Sequence, residues 1–259
     1  MQRTVLITGA SMGIGRAFAA EFARRGWRLV LVARSEAALT AVQGELTARY
    51  GVSAAVVPLD LAAPGAPQAL YDRLARDGVE VDALVNAAGF GDHAAFLDSD
   101  LARALDMMQL NVCAVMALTH LFCNAMRRRG HGRILNVGSA AAFSAGPYMA
   151  VYYASKAAVL SFSEAVADEL SGSGVTVTAL CPGPTASGFA KAAQAEDCPY
   201  FRLPGLSTPE AVAKRGVRAM LRGDTLAYHG LATYSMSLFA RLLPRRVMRA
   251  LSRASNGVR

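Results

Sequence analysis

Tyr152 and Lys156 have residue types and a spacing that predict proton transfer. They lie four residues apart in a segment with helical periodicity, so both side chains leave the same face of a helix. A phenol has a pKa of about 10 in water, and a nearby ammonium favours the phenolate and lowers that pKa. The pair therefore predicts a tyrosine that acts as a general acid or base. Tyr153 has Ala157 one turn later, so we assign it to packing or to a substrate pocket.

Two further polar residues have positions that would serve the same reaction. Ser139 follows the fifth predicted strand, where its hydroxyl would hold a substrate oxygen. Asn111 lies inside a long predicted helix, where asparagine is mildly unfavourable. Its place there indicates a polar role, such as binding a water molecule that reaches Lys156.

A glycine-rich segment, Thr8–Gly15, follows the first predicted strand and opens the first predicted helix. Glycines allow a sharp turn and a close backbone approach to a pyrophosphate, and the helix N-terminus offers free N–H groups to an anion. A tight structural turn is the alternative, but a strand before and a helix after are what dinucleotide binding requires. The predicted contacts are Gly9, Ser11, Met12, Gly13, Ile14 and Gly15.

The end of the second predicted strand indicates which dinucleotide is bound. NAD sites often place a carboxylate there for the ribose hydroxyls, but this chain has Arg34 and Ser35. A guanidinium at that point would pair with a 2′-phosphate. The sequence therefore favours NADP(H), although a solvated arginine at a strand end is the alternative interpretation.

Short apolar runs alternate with longer amphipathic ones through most of the chain. The runs are apolar throughout, as in strands that are buried on both faces, and their alternation with helices predicts a doubly wound parallel sheet. We predict a single domain over residues 1–259. The predicted strands are Thr4–Thr8, Arg28–Ala33, Ala54–Pro58, Ala83–Asn86, Arg133–Val137 and Val175–Cys181, and the predicted helices are Gly13–Arg25, Glu36–Tyr50, Pro67–Asp77, Leu101–Arg129 and Met149–Leu170, with another starting near Thr208.

Composition excludes several classes of protein. The chain has 259 residues, 53% hydrophobic and 18% charged, which argues against disorder. The net charge of +8 is not clustered outside the C-terminus, so we expect no nucleic-acid partner. We also expect no membrane-spanning helix, no signal peptide and no metal site, since the four cysteines match no ligand spacing. Reduced thiols indicate a cytoplasmic protein.

The last third of the chain departs from the alternating pattern. Residues 185–206 predict a mobile, partly helical insertion on the substrate side. The tail near residues 234–259 combines apolar residues with arginines, and no acidic residue follows Asp224. It would dock on its own domain, on a sister subunit or weakly on a membrane surface. Several aromatic residues suggest an apolar pocket: Phe90, Phe96, Phe143, Tyr148 and Phe189.

These motifs, taken in order, resemble the short-chain dehydrogenase/reductase family over about residues 3–230. The resemblance rests on Thr8–Gly15, Asp60, Asn86-Ala87-Ala88-Gly89, Asn111, Ser139, Tyr152 with Lys156, and Pro182-Gly183. It implies a single Rossmann-type domain with a seven-stranded parallel sheet in the order 3-2-1-4-5-6-7. Bacterial members described as ketoacyl reductases are the most similar in the segment 142–150 and in the tail.

The resemblance also implies roles for individual residues. Asp60 and Leu61 would meet the adenine, while Asn86, Ala87 and Gly89 would line its ribose and brace the sheet. Lys156 would hold the nicotinamide ribose, and Pro182, Gly183, Thr185 and Ser187 would position the carboxamide. Asn111, Ser139, Tyr152 and Lys156 would form a catalytic tetrad. Members usually pair as dimers or tetramers through the two long helices.

The expected function is NADPH-dependent reduction of a small-molecule carbonyl (a ketone, an aldehyde or a 3-oxoacyl group) to an alcohol, or the reverse. A non-catalytic NADP-binding sensor or interaction protein is the alternative, but it would need only the phosphate loop. A serine hydrolase is disfavoured because Ser139 lacks the Gly-x-Ser-x-Gly elbow.

Overall fold

A computed structural model describes residues 2–202 and 205–257. Its centre is a seven-stranded parallel sheet in the order β3-β2-β1-β4-β5-β6-β7. The strands are β1 (Thr4–Thr8), β2 (Arg28–Ala33), β3 (Ala54–Pro58), β4 (Ala83–Asn86), β5 (Gly132–Val137), β6 (Val175–Pro182) and β7 (Leu226–His229). The predicted parallel sheet and its order are confirmed.

Helices cover both faces of the sheet. They are α1 (Gly13–Ala23), α2 (Glu36–Tyr50), α3 (Ala66–Arg76), α4 (Leu101–Met108), α5 (Ala114–Arg129), α6 (Ala150–Glu169), α7 (Phe189–Ala192), α8 (Pro209–Arg222), α9 (Leu231–Leu242) and α10 (Arg245–Asn256). Short 3₁₀ turns occur at Phe96–Asp98, Ala140–Phe143 and Pro199–Phe201.

The strands are mostly apolar because each face of the sheet supports a separate core. In β1, Val5 and Ile7 join the core beneath α1, α2 and α8, whereas Leu6 joins the opposite core beneath α3 and α5. All three are fully buried. Two buried faces favour apolar residues along a strand, and the polar exceptions, such as Asn136 in β5 and Thr178 in β6, are hydrogen-bonded.

Most predicted element boundaries agree with the structure to within two residues. The strand β7 is the exception, because the apolar pattern did not predict it. It is four residues long, and only Ala227 is buried. A short edge strand with one buried residue has too little periodicity to be recognised. The assignment of residues 1–259 to one domain stays a prediction.

The helix predicted over Leu101–Arg129 is interrupted in the middle. A π-helical segment, Gln109–Cys113, separates α4 from α5. Among the described residues, this helix alone is long and apolar enough to cross a membrane by length and composition, and 39% of its most apolar stretch is buried inside the protein. Its α5 part packs on β4 and β5, where Leu118, Phe122 and Met126 belong to the buried core.

The substrate-side insertion and the tail are both partly helical. The insertion contains α7 and the turn Pro199–Phe201, and Leu203 and Pro204 lie outside the described residues. The tail forms α9 and α10, and α10 contacts the turn of the insertion. The structure therefore places the tail against its own domain.

The loops after β1, β2, β4, β5 and β6 all leave the carboxyl edge of the sheet, because parallel strands end on the same side. The residues with predicted chemistry lie in these loops or in the helices that follow them. Ligands of open α/β sheets bind along this edge.

Candidate active site

Tyr152 and Lys156 lie one turn apart near the N-terminus of α6 and face the same way. The Lys156 Nζ is 5.8 Å from the centre of the Tyr152 ring. It also donates a hydrogen bond to the Val137 carbonyl oxygen at the end of β5, with an N–O distance of 2.9 Å. Lys156 is buried, whereas Tyr152 is partly open to a pocket. The spacing argument correctly predicted that the two side chains would lie together.

The pKa of Tyr152 differs from the sequence-based expectation. Burial raises it to about 12, and the side-chain hydrogen bond with Ser139 offsets only part of that increase. Burial also lowers the pKa of Lys156 to about 8. The lysine was expected to lower the tyrosine pKa, but desolvation of the phenolate is the largest influence on it and acts in the opposite direction. Tyr152 is therefore protonated at neutral pH and able to donate a proton.

Ser139 lies in the turn after β5, in the same pocket as Tyr152. Its Oγ accepts a hydrogen bond from the Ala141 backbone N–H at 3.1 Å, which caps the 3₁₀ turn that follows. The cap fixes the side-chain direction, so the hydroxyl is held beside Tyr152.

Asn111 lies in the π-helical segment, which widens the helix and turns this side chain toward the loop after β4. Its Oδ1 accepts from the Phe90 N–H at 3.1 Å, and its Nδ2 donates to the Phe90 carbonyl at 2.9 Å and to the Ser155 Oγ at 3.1 Å. A Cβ on Gly89 would lie 2.8 Å from the Asn111 Oδ1 and 3.7 Å from the Lys156 Nζ. Only glycine leaves room between them, and π-segments of this kind often occur at functional sites.

The pocket around Tyr152 is mostly apolar. Lys156 is the one charged side chain that lines it within residues 2–202 and 205–257. Its apolar wall is formed by Ala141, Met149, Tyr153, Phe189, Tyr200 and Phe201. Of the aromatic residues expected to form a pocket, only Phe189 lies on this wall, while Phe90 lines the neighbouring cleft and Phe96 is 57% exposed.

A second, larger cleft adjoins this pocket and runs along the carboxyl edge of the sheet. The phosphate-loop residues Gly9, Ser11, Met12, Gly13 and Ile14 line it, whereas Gly15 lies beneath the loop. A Cβ on Gly15 would lie 2.1 Å from the Gly9 carbonyl oxygen, so the tight loop depends on this glycine. The first turn of α1 has neither a side-chain cap nor an acidic residue, so its N–H groups are free for an anion. This cradle fits a dinucleotide pyrophosphate.

Arg34, Ser35, Asp60 and Leu61 line the far end of the cleft. Arg34 is exposed, and no carboxylate pairs with it among the residues that the structure describes. The Ser35 hydroxyl caps α2 by accepting from the Ala38 N–H at 3.3 Å. Asp60 accepts from the Ala62 N–H at 3.0 Å. A free guanidinium at this end supports the expected contact with a 2′-phosphate.

Asn86 and Ala87 lie farther from the cleft than expected. Asn86 is 2% exposed and donates to the Asn136 Oδ1 at 2.8 Å, which joins β4 to β5. The Ala87 N–H donates to the Thr8 Oγ1 at 3.0 Å. Gly89 lines the cleft as expected, together with Ala88. Asn86 and Ala87 brace the sheet because their hydrogen-bonding groups point along it.

The residues expected at the nicotinamide end lie where the two cavities meet. Pro182, Gly183 and Thr185 line the pocket that contains Tyr152, and Ser187 lines both that pocket and the nucleotide cleft. The Thr185 hydroxyl donates to the Gly183 carbonyl at 2.9 Å, which holds the turn after β6.

The comparison with known proteins agrees with this arrangement. The sequence matches the model of the short chain dehydrogenase family over residues 3–197. The chain belongs to this family. The expected membership and the expected oxidoreductase class are therefore confirmed.

Two curated short-chain dehydrogenase relatives illustrate the similarity. The very-long-chain 3-oxoacyl-CoA reductase of Anas platyrhynchos is 34% identical over 218 residues, which span 82% of this chain and 67% of that protein. The ketoacyl reductase HetN of Nostoc sp. is 34% identical over 224 residues, 86% of this chain and 77% of that protein.

A solved structure has the same architecture over almost its whole length. The short-chain dehydrogenase from Sphingobium yanoikuyae in complex with NADPH has a TM-score of 0.83 and 31% sequence identity. The alignment covers 93% of this chain and 94% of that one.

Sequence reasoning missed a hydrogen-bonded centre near the end of the chain. Asn256 is 1% exposed; its Oδ1 accepts from the Tyr153 hydroxyl at 3.1 Å, and its Nδ2 donates to the Pro147 carbonyl at 3.1 Å. Its backbone carbonyl lies 2.7 Å from the His93 Nε2 and accepts from the Cys198 thiol at 3.5 Å. No local pattern marks this residue, because its partners lie far away in the chain.

The described residues contain one group of three side chains with metal-ligating atoms close together, Glu80, Asp82 and His131. It lies at the amino ends of the strands, on the opposite edge from the pocket. Glu80 already pairs with Arg129 at 3.1 Å, and Asp82 accepts from the Thr4 N–H at 2.7 Å. The group has no part in the site described above.

Proposed function

We propose that this short-chain dehydrogenase uses NADPH to reduce a ketone or 3-oxoacyl carbonyl in an apolar substrate to an alcohol. The observation that carries the proposal is the placement of Ser139 and a protonated Tyr152 in one apolar pocket, where that pocket meets the nucleotide cleft. With NADP⁺, the same groups would support oxidation of the alcohol.

Bound NADPH would supply the hydride, and the protein would supply the proton and the geometry. The hydroxyls of Ser139 and Tyr152 hold the carbonyl oxygen, and Tyr152 donates the proton that completes the alcohol. The Lys156 ammonium stabilises the phenolate that remains, because opposite charges attract strongly in a desolvated pocket. Asn111 holds the loop that contains Gly89 beside Lys156.

The substrate class follows from the pocket wall. Aromatic and aliphatic side chains surround Tyr152, and such a wall favours a bulky apolar group beside the carbonyl and disfavours a charged one. The relatives support the same class, since two are 3-oxoacyl or ketoacyl reductases and another neighbour is the bulky-bulky ketone specific alcohol dehydrogenase of Comamonas testosteroni. That alcohol dehydrogenase has a TM-score of 0.78 and 28% identity over 93% of this chain.

The cofactor preference rests on Arg34 together with the neighbours that hold NADPH. Arg34 lines the cleft without a carboxylate partner in the described ranges. The Sphingobium yanoikuyae structure was solved in complex with NADPH. A non-catalytic sensor would require only the nucleotide cleft and would leave the arrangement of Ser139, Tyr152 and Lys156 without a purpose.

We also propose a homodimer or homotetramer in the cytoplasm. The exposed side chains of Leu101, Leu105 and Met116 on α4 and α5 support a contact between subunits, because exposed large apolar side chains gain stability from burial. Analytical ultracentrifugation would measure the oligomeric state.

An activity screen tests the proposal. Purified protein would be mixed with NADPH or NADH and a panel of ketones, aldehydes, quinones and acyl thioesters, and oxidation would be followed by absorbance. We expect NADPH oxidation with bulky ketones or 3-oxoacyl thioesters. Tyr152→Phe should lower kcat about 100-fold or more, because it removes the proton donor.

Tyr50→Phe is the matched control, since Tyr50 ends α2 beside Arg49 and lies outside both cavities. It should retain the wild-type rate. Titration of NADPH by fluorescence should give nearly equal affinities for wild type and Tyr152→Phe. Full turnover in Tyr152→Phe would refute the assignment of the proton donor.

A further inference from the structure

The helix α9 has its large apolar side chains on the outside and small polar ones inside. Leu231 is 85% exposed and Leu242 is 78% exposed, whereas Thr233 and Ser237 are 4% and 3% exposed. A surface helix of a globular protein normally has the opposite arrangement. The inversion indicates that the outward face meets an apolar environment.

The outward residues form one continuous stripe along α9. Leu231, Tyr234, Leu238 and Leu242 are three or four residues apart, and Phe239 lies beside them. All five are exposed. We call these five side chains the α9 stripe.

The following helix adds positive charge and further apolar side chains. In α10, Val247 and Leu251 are exposed one turn apart, and Met248, Ser252 and Asn256 face the protein. Arginines occupy the remaining flank of α10. Arg241 lies in the last turn of α9, and α10 contains Arg245, Arg246, Arg249 and Arg253.

This charge has no compensating partner in the tail. The chain has no acidic residue after Asp224, and none of the five arginines pairs with a carboxylate within residues 2–202 and 205–257. A second copy of the chain is a poor occupant for this surface, because a symmetric contact would place the two sets of arginines opposite each other. A surface that is both apolar and anionic is complementary to the tail.

We propose that α9 and α10 dock this protein on the surface of a membrane that contains anionic lipids. The α9 stripe, with Val247 and Leu251, enters the boundary between headgroups and acyl chains. The arginines contact lipid phosphates. Each arginine near the anionic surface contributes about 1 kcal/mol to binding.

The docking surface is joined to the substrate pocket. Asn256 at the end of α10 binds the Tyr153 hydroxyl and the Pro147 carbonyl, and α10 contacts the turn Pro199–Phe201 whose aromatic residues line the pocket. Docking therefore holds the pocket close to the bilayer, where apolar carbonyl compounds concentrate. This consequence depends on the proposed function, whereas docking itself does not.

Vesicle co-sedimentation tests the docking. The full chain would be mixed with vesicles of phosphatidylcholine alone or of phosphatidylcholine with phosphatidylglycerol. We expect it to pellet with the anionic vesicles only, and high salt should weaken the binding because salt screens the arginines. Arg245→Gln combined with Arg246→Gln and Arg249→Gln should lower the apparent affinity about 100-fold.

A second variant tests the apolar stripe. Leu238→Gln combined with Phe239→Gln and Leu242→Gln should abolish pelleting while the thermal melting temperature stays within a few degrees, because these side chains are exposed. Leu97→Gln is the matched control, since Leu97 is 93% exposed in a different part of the molecule. This variant should pellet like wild type.

Equal recovery of wild-type protein in the supernatant with both vesicle types would overturn the proposal. Sedimentation velocity would detect an oligomer that dissociates in the stripe variant. If wild type also bound no vesicles, this result would show instead that the stripe contacts a second copy. Carbonyl reduction in free solution is measured separately, so protein that pellets but reduces no carbonyl would refute the proposed function and leave docking supported.

Discussion

The nucleotide side and the substrate side of the cleft are built from different parts of the chain. On the nucleotide side, Gly9 and Gly15 belong to one short loop and are packed so closely that a Cβ on Gly15 would overlap the Gly9 carbonyl. On the substrate side, Asn256 joins Tyr153, Pro147 and His93, which are far away in the sequence.

The difference follows from what each side has to recognise. A pyrophosphate is bound by backbone N–H groups, so a local loop of the right shape is sufficient. An apolar substrate is bound by the shape of a wall, and a wall requires several segments to be held together. The nucleotide side should therefore be sensitive to backbone changes, and the substrate side to the loss of long-range contacts.

Arg34→Ser is expected to have the largest effect on the nucleotide side. It removes the guanidinium proposed to pair with the 2′-phosphate, and hydrogen bonds to charged groups contribute about 1.5–3 kcal/mol each. The preference for NADPH over NADH, measured as the ratio of kcat/KM values, should fall by roughly 10- to 100-fold. Arg49→Ser, in the last turn of α2, is the control and should leave the ratio unchanged.

Gly15→Ala tests how strictly the loop depends on its backbone. The new Cβ would overlap the Gly9 carbonyl, so the loop has to open. We expect the free energy of unfolding to fall by about 1–3 kcal/mol and the affinity for NADPH to fall roughly tenfold. Calorimetry and fluorescence titration measure the two effects.

Gly44→Ala is the paired control for the loop. Gly44 lies inside α2, and a Cβ at this position would have nothing within 4 Å, so the change should stabilise the protein by about 0.5–1 kcal/mol. If Gly15→Ala were as stable as Gly44→Ala and bound NADPH equally well, the loop would not need its glycine.

The pH dependence should report Lys156 rather than Tyr152. Burial lowers the pKa of Lys156 to about 8, so its charge is present below that pH and is lost above it, while Tyr152 stays protonated up to about pH 12. The kcat/KM for NADPH, which reflects the free enzyme, should fall up to about tenfold per pH unit above that pKa.

Lys156→Arg identifies the group responsible for this decline. Arginine stays charged throughout the range, so the variant should show no decline near pH 8, whatever its absolute rate. An unchanged alkaline limb in Lys156→Arg would assign the decline to another group.

Asn256→Ala should have the smallest effect on the rate and act on the substrate side alone. It leaves the Tyr153 hydroxyl and the Pro147 carbonyl without their partner, at a cost of about 1–3 kcal/mol in stability. We expect the KM for the carbonyl substrate to rise several-fold while kcat and the NADPH affinity stay close to wild type.

Ser255→Ala, one residue earlier in α10 and only partly buried, is the control for this change. In Asn256→Ala, the NADPH dissociation constant and the KM for the carbonyl substrate could rise by the same factor. That result would mean that the contacts of Asn256 support the whole cleft rather than its substrate side.

The sequence predicted most of the fold because the signals are local. The strand β2 was predicted with its observed boundaries, since four of its six residues are fully buried and apolar. The edge strand β7 has one buried residue and was expected only through the family resemblance. The pairing of Tyr152 with Lys156 was predictable for the same reason, because one helical turn determines which side chains share a face.

Only the tertiary structure decided the pKa of Tyr152, the position of Asn86 behind the cleft and the role of Asn256. The pKa depends on how much protein surrounds the phenol, and spacing along a helix contains no information about burial. The contacts of Asn256 join segments that approach each other only after the sheet and its helices have assembled. The residue types and local spacings therefore determined the chemistry that this chain offers, and long-range packing determined the environment in which that chemistry operates.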